Sequence, residues 1–241
     1  MKQPNKKTMK KIHVWVRAVI QLLYFLFIPS AYTAAFNGVK YIFTQMGAKT
    51  HLEVTSFVAA LIVLCVYTIV FGRFFCGFAC AFGSLGDAVR ALYVFICKKL
   101  KKKPITMKAA VVKKLQVVKY FVLAIIAVTC FTGVYSKAKG FSPWDVFSML
   151  HARNFKLGGY TLGVVLLVLI VIGMCFQERF FCRVLCPMGA VFSILPVLPF
   201  SNLRRDRSEC IKGCRACTMK CPSDIELAPD TAPELSGDCF Q

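Results

Sequence analysis

Four apolar segments, roughly Val14 to Phe36, Val54 to Phe71, Leu115 to Val134 and Gly158 to Phe176, constrain this chain more than any other feature. A hydrocarbon core of about 30 Å takes about 20 mostly apolar residues in a helix, and only helices and closed barrels satisfy their own backbone there. The pattern predicts an all-α integral membrane protein with four transmembrane helices. A hydrophobic content of 57% and a mean hydropathy of +0.62 agree, being high for a surface that must meet water. The run Pro187 to Phe200 carries three prolines and falls short of a span, so it reads as interfacial or partly re-entrant.

The net charge of +20 would ordinarily suggest a nucleic-acid partner. Here Lys and Arg lie between the apolar runs. Five precede the first span, ten lie from Gly72 to Lys114 and eight follow the fourth, against two and four in the other loops. The positive-inside rule puts both termini and the long middle loop in the cytoplasm, and with the charge placed this way no nucleic-acid partner is expected. The run Lys98 to Lys103 reads as a juxtamembrane anchor to anionic lipid. A lysine-rich start followed by an apolar stretch with Ser30 and Ala31 also fits a secretory signal, but the stretch is long enough to span.

The chain repeats itself. Arg73-Phe74-Phe75-Cys76 with Cys80 and Gly83 returns, 106 residues later, as Arg179-Phe180-Phe181-Cys182 with Cys186 and Gly189. Each block directly follows an even-numbered span, so the membrane domain reads as two tandem two-helix repeats in one orientation. Cysteines with three residues between them, if helical, put both sulfurs on one face at i and i+4. A pseudo-twofold axis along the membrane normal would gather Cys76, Cys80, Cys182 and Cys186 at the cytoplasmic mouth as four thiolates, the ligand count of an iron–sulfur cluster. The alternatives are buried small residues or separate thiol pairs. Arg73 and Arg179 are either positive-inside anchors or guanidinium groups that stabilise an anionic cluster.

After Ser201 the hydropathy falls, and the chain reads Cys210-Ile-Lys-Gly-Cys214-Arg-Ala-Cys217-Thr-Met-Lys-Cys221-Pro222. Three close cysteines, then a fourth followed by proline, is the ferredoxin pattern for a [4Fe-4S] cluster, with Gly213 as an extra residue between the first two. A structural zinc site also takes four cysteines but more typically uses two separated pairs. Either needs a reducing compartment, in keeping with cytoplasmic placement. In two-cluster ferredoxins the fourth cysteine serves the other cluster, and the only further cysteine here is Cys239. Gly237 to Gln241 looks like the first ligand of a second run, cut off, so the expectation is a truncated gene or fragment that lacks the second ferredoxin cluster.

At these residues the sequence resembles the polytopic membrane 4Fe-4S binding proteins. They include the ferredoxin-type subunit of periplasmic nitrate reductase systems, the nitrous-oxide reductase maturation protein and the cytochrome oxidase accessory ferredoxin. The shared pattern is a duplicated aromatic-Cys-Gly-aromatic-x-Cys-Pro-x-Gly block followed by ferredoxin cysteines. Here Ala81 replaces the proline of the first block, and Arg183 the glycine of the second. The resemblance implies cytoplasmic [4Fe-4S] clusters and electron traffic between the quinone pool, or a cytoplasmic donor, and a respiratory or extracytoplasmic redox partner. The alternative is a membrane maturation or regulatory factor that reduces or delivers metal for a metalloenzyme. No quinone site is legible in the sequence, so catalysis by this chain is not assigned.

The expected organisation is a basic cytoplasmic N-terminus (1–13), a membrane domain (14–200; repeats about 14–100 and 115–200) and a cytoplasmic ferredoxin-like segment (201–241). The histidines, His13, His51 and His151, lie near or outside span ends, which disfavours haem, and no phosphate-binding glycine motif points to a nucleotide. Trp144, Asp145 and His151 fall in the loop Tyr135 to Leu157, where an aromatic belt and solvated polar groups are expected, or else a quinone or partner contact. Cys65, Cys130 and Cys175 read as small hydrophobes within spans, and Cys97 as an interfacial thiol.

Overall fold

The computed structural model describes residues 6–27, 31–51, 53–107, 109–136, 139–155, 158–196 and 198. The ferredoxin-type cysteines Cys210, Cys214, Cys217 and Cys221, and Cys239, lie outside the described residues. Within them the regular structure is helical: α1 (Lys6–Phe27), α2 (Ala31–Ala48), α3 (Ser56–Phe71), α4 (Phe74–Phe78), α5 (Ala81–Lys99), α6 (Ala109–Leu115), α7 (Val118–Phe131), α8 (Pro143–His151), α9 (Thr161–Phe176) and α10 (Pro187–Ile194). A one-turn π-helix, Phe181–Leu185, precedes α10.

Among the described residues one stretch, Ala110–Phe131, in which α7 continues α6 across a single turn, is by itself long and apolar enough to cross a bilayer; its 22 residues rise about 33 Å at 1.5 Å each. The first expected span is instead a pair, Val14–Phe27 and Ala31–Ala48, bent by 60°. The sequence carries Pro29 at the break, and a proline removes one helical hydrogen bond and clashes with the preceding turn. The apolar helices α3 and α9 have 16 residues each, about 24 Å of rise. Gly72, at φ 65°, ends α3 in a conformation that favours glycine.

The middle stretch expected as a loop holds α5, which packs against α1 and α9. Arg90, buried on α5, donates to the carbonyls of Ile105 and Cys175 and so ties α5 to the last turn of α9. The stretch expected as a solvated outer loop holds α8. Ser142 accepts from the Asp145 N–H at 3.3 Å as its N-cap, and Pro143 opens it. Trp144 is buried between Phe36 and Phe181, at centroid distances of 5.5 and 6.3 Å, rather than lying in an interfacial belt. Asp145 faces Lys40 at 3.9 Å, and His151 packs edge-on to Phe25.

Candidate metal centre

Both cysteine blocks are built by the same backbone device. Each begins at an arginine, Arg73 or Arg179, that follows or adopts a left-handed turn: Gly72 has φ 65° and Arg179 φ 54°. The first cysteine then sits in a single short turn, Cys76 in α4 and Cys182 in the π-helix. The chain straightens at the second cysteine, with ψ 123° at Cys80 and 115° at Cys186, and that residue is the N-cap of the next helix. In both blocks the second cysteine's N–H reaches back five residues, Cys80 to Phe75 O at 3.0 Å and Cys186 to Phe181 O at 2.9 Å. The pairs are therefore not on one face of a continuous helix, as the spacing suggested. A capping position aims the thiol at a helix N-terminus, where free N–H groups and the dipole favour negative charge. The Gly189 N–H donates to Cys186 Sγ at 3.2 Å.

The duplicated glycines hold each turn against its helix. A Cβ on Gly83 would lie 2.6 Å from Cys76 O, and one on Gly189 2.8 Å from Cys182 O. The duplicated arginines join the blocks crosswise. Arg73 Nη2 donates to Gly189 O at 2.7 Å; Arg179 donates through Nη1 to Cys76 O at 3.2 Å and through Nη2 to Gly77 O at 2.9 Å. Both guanidinium groups are buried, so they are parts of the core rather than interfacial anchors. Asp87 on α5 accepts from Arg179 at 3.0 Å, from Arg17 at 2.6 Å and from Gln21 at 2.8 Å, and Gln21 donates also to Gly77 O at 3.1 Å. The Tyr32 hydroxyl lies 3.7 Å from Cys186 Sγ.

Cys76, Cys80, Cys182 and Cys186 are all buried free thiols of the same hydrophobic core. Burial pushes each thiol up. For Cys76 burial outweighs the pull of Arg73 and Arg179 and leaves it at about 11. Cys80 and Cys182 are raised by burial and then by the neighbouring thiols of the same four, while Cys186 is raised by burial against the Gly189 N–H and the Tyr32 hydroxyl. The four groups thus feel one another. Among the described residues, no three ligating side chains are gathered as ligands to a single metal ion would be. In kind and number the donor set fits a cluster that presents one iron to each thiolate.

One consequence is a proton count. The thiols are neutral near pH 7, and a ligating cysteine must be a thiolate, so loading this site releases protons and weakens as pH falls. Titration of the apo chain with ferrous iron and sulfide in weakly buffered detergent should show acidification, with apparent affinity that rises with pH. Proton uptake, or affinity independent of pH, contradicts this.

The sequence reading missed Asp87, Arg17, Gln21 and Tyr32. The available signal was Asp87 itself, the single acid between Val54 and Phe141. Of the other thiols, Cys130 and Cys97 are buried, and Cys65 and Cys175 are half-buried.

A family profile described as a 4Fe-4S binding domain matches residues 54–104 and 160–198. Each match contains one duplicated block, and neither reaches Cys210. The uncharacterized protein MJ0749 of Methanocaldococcus jannaschii is 34% identical over 69% of this chain and 58% of its own length. MJ0750 of the same organism is 28% identical over 97% of this chain and 92% of its own. Ferredoxin-type protein NapH of Haemophilus influenzae is 25% identical over 73% of this chain and 56% of its own length. The chain thus spans less than two thirds of MJ0749 and of NapH. No solved structure matches.

Proposed function

Because the chain belongs to the family of ferredoxin-type 4Fe-4S binding proteins of electron transport, we propose that it is a multi-pass membrane electron carrier with two clusters. Cys76, Cys80, Cys182 and Cys186 hold one, and Cys210, Cys214, Cys217 and Cys221 hold the other. The clusters supply one-electron chemistry; the chain's residues hold them, exclude water and set their charge environment. The proposed traffic runs between the quinone pool or a cytoplasmic donor and a respiratory or extracytoplasmic partner, with both termini in the cytoplasm and the duplicated blocks forming two tandem repeats.

The observation that carries the reading is the coincidence of the family match with the duplicated blocks. The 4Fe-4S profile covers the segments around Cys76–Cys80 and Cys182–Cys186, and each block's arginine donates into the other block. A multi-pass placement is supported by the outward faces of the apolar helices. On α3, α7 and α9, side chains such as Val63, Phe121, Ile125 and Leu169 are more than half exposed, an arrangement suited to lipid and costly in water.

Anaerobically purified full-length chain should hold about eight irons, two cubanes' worth. Cys182→Ser is expected to lower that by about half while leaving the ferredoxin-type signal. Iron content unchanged by the substitution would sink the shared centre, and zinc in place of iron would sink the carrier reading altogether.

A further inference from the structure

Arg179 joins the cysteine site to a carboxylate that stands outside it. Its guanidinium donates to the carbonyls of Cys76 and Gly77 on one side and to Asp87 on the other, through Nη2 at 3.0 Å and Nε at 3.4 Å. Arg179 is 3% exposed, whereas the Asp87 side chain is 26% exposed. Asp87 lines a cavity of about 870 Å³ between α1 and α5, together with Arg17, Gln21, Glu178 and Arg179. The carboxylate therefore faces the cavity on one side and neutralises a guanidinium on the buried side. Arg17 reaches the same carboxylate oxygen at 2.6 Å, with its own side chain 40% exposed, and lies over the Phe78 ring of α4. Three groups, Arg17, Asp87 and Arg179, form a line of alternating charge that ends on the backbone of a ligand-bearing turn.

We infer that Asp87 is a positioning residue that sets the redox balance of the four-cysteine centre through Arg179. The inference rests on the shared centre proposed above. A cluster gains negative charge on reduction. A positive guanidinium behind the Cys76–Gly77 turn favours the reduced form, and Asp87 offsets part of that charge. Arg17 in turn offsets Asp87 from the cavity. The half-exposed Arg17 and Asp87 act in a medium of higher dielectric than the buried guanidinium, which transmits their net effect to the turn. Removing the carboxylate's charge should favour reduction; removing Arg17's charge should oppose it. Opposite signs from adjacent residues of one network are the signature of charge, since loosened packing has no reason to reverse sign between them.

The experiment is a potentiometric titration of the full-length chain in detergent, followed by electron paramagnetic resonance of the reduced clusters. The signal of the membrane centre is identified as the one lost in Cys182→Ser. At fixed ambient potential, Asp87→Asn is expected to raise its reduced-to-oxidised ratio about tenfold, which is 59 mV for a one-electron couple. Arg17→Gln is expected to lower the ratio, and Asp87→Glu to keep it at the wild-type value. Ratios unmoved in both charge-removing variants, or moved in the same direction, overturn the inference. If Asp87→Asn does not accumulate, the sign of the Arg17→Gln shift decides alone. If no signal depends on Cys182, the shared centre fails and the role of Asp87 with it. That result is distinct from a Cys182-dependent signal that does not move.

Discussion

Alanine at Gly83 or Gly189 is expected to abolish the membrane centre while leaving most of the helical content in place. The added Cβ would meet a backbone carbonyl, Cys76 O at 2.6 Å or Cys182 O at 2.8 Å. Those carbonyls belong to the turns that carry Cys76 and Cys182, so the strain cannot be relieved by a side-chain rotation. Overpacking of a filled site generally costs about 1–3 kcal/mol, and here relief shifts the turn that carries Cys76 or Cys182. Bound iron should fall by half in either variant, with the thermal midpoint in detergent lowered by several degrees. Gly159→Ala is the control, because a Cβ there meets nothing within 4 Å. Iron retained in full in both Gly83→Ala and Gly189→Ala would show that the tight apposition of turn and helix is dispensable.

The second large effect concerns the crosswise arginines. Arg179→Ala takes the guanidinium donor from the Cys76 carbonyl, leaves the Gly77 carbonyl with Gln21 alone as side-chain donor, and takes a charge partner from Asp87. Breaking a buried, hydrogen-bonded ion pair typically costs about 3–5 kcal/mol. Asp87 retains Arg17 and Gln21, which places the expected loss at the lower end, about 3 kcal/mol. Arg17→Ala removes a pair exposed to the cavity and should cost less than about 1 kcal/mol. Arg179→Lys should not restore stability, since one ammonium cannot reproduce a fork that serves two carbonyls and a carboxylate. Arg73→Ala acts across the same boundary through Gly189 O, so Arg73→Ala with Arg179→Ala should cost less than the sum of the single losses. Unfolding in detergent gives these differences; equal losses for Arg17→Ala and Arg179→Ala would contradict the role of burial.

The blocks were legible in the sequence because chemistry leaves a local trace: a repeated Arg-Phe-Phe-Cys with matching glycines needs no tertiary information. The way the cysteines meet was less so. Spacing alone suggested i and i+4 on a helix. Yet Pro187, directly after Cys186, is a residue favoured at the first position of a helix, and it already marked Cys186 as a cap. Counted instead among the three prolines of Pro187 to Phe200, it served only as evidence against a fifth span. Helix α5 was hidden by a different effect. Charge counting from Gly72 to Lys114 averages an apolar, Asp87-bearing helix with the lysine run that follows it. The burial of Trp144 and the convergence on Asp87 depend on elements far apart in sequence, Arg17 lying 70 residues and Arg179 92 residues from Asp87. No pattern along the chain encodes such a meeting. The bend between α1 and α2 is the intermediate case: Pro29 was visible, but a window of hydropathy does not register direction.

The crosswise clamp also carries an implication for biosynthesis. Cys76 and Cys80 are made first, but the arginine that grips their turn comes 103 residues after Cys76, and the matching thiols Cys182 and Cys186 come 106 residues after theirs. At about 5–20 residues per second, a ribosome needs roughly 5–20 s to supply them. During that interval the first pair stands without the buried core that encloses it, and in the centre proposed above it would be half of a ligand set, open to oxidation and to the wrong metal. Each half of the chain is thus a folding partner that the other must wait for.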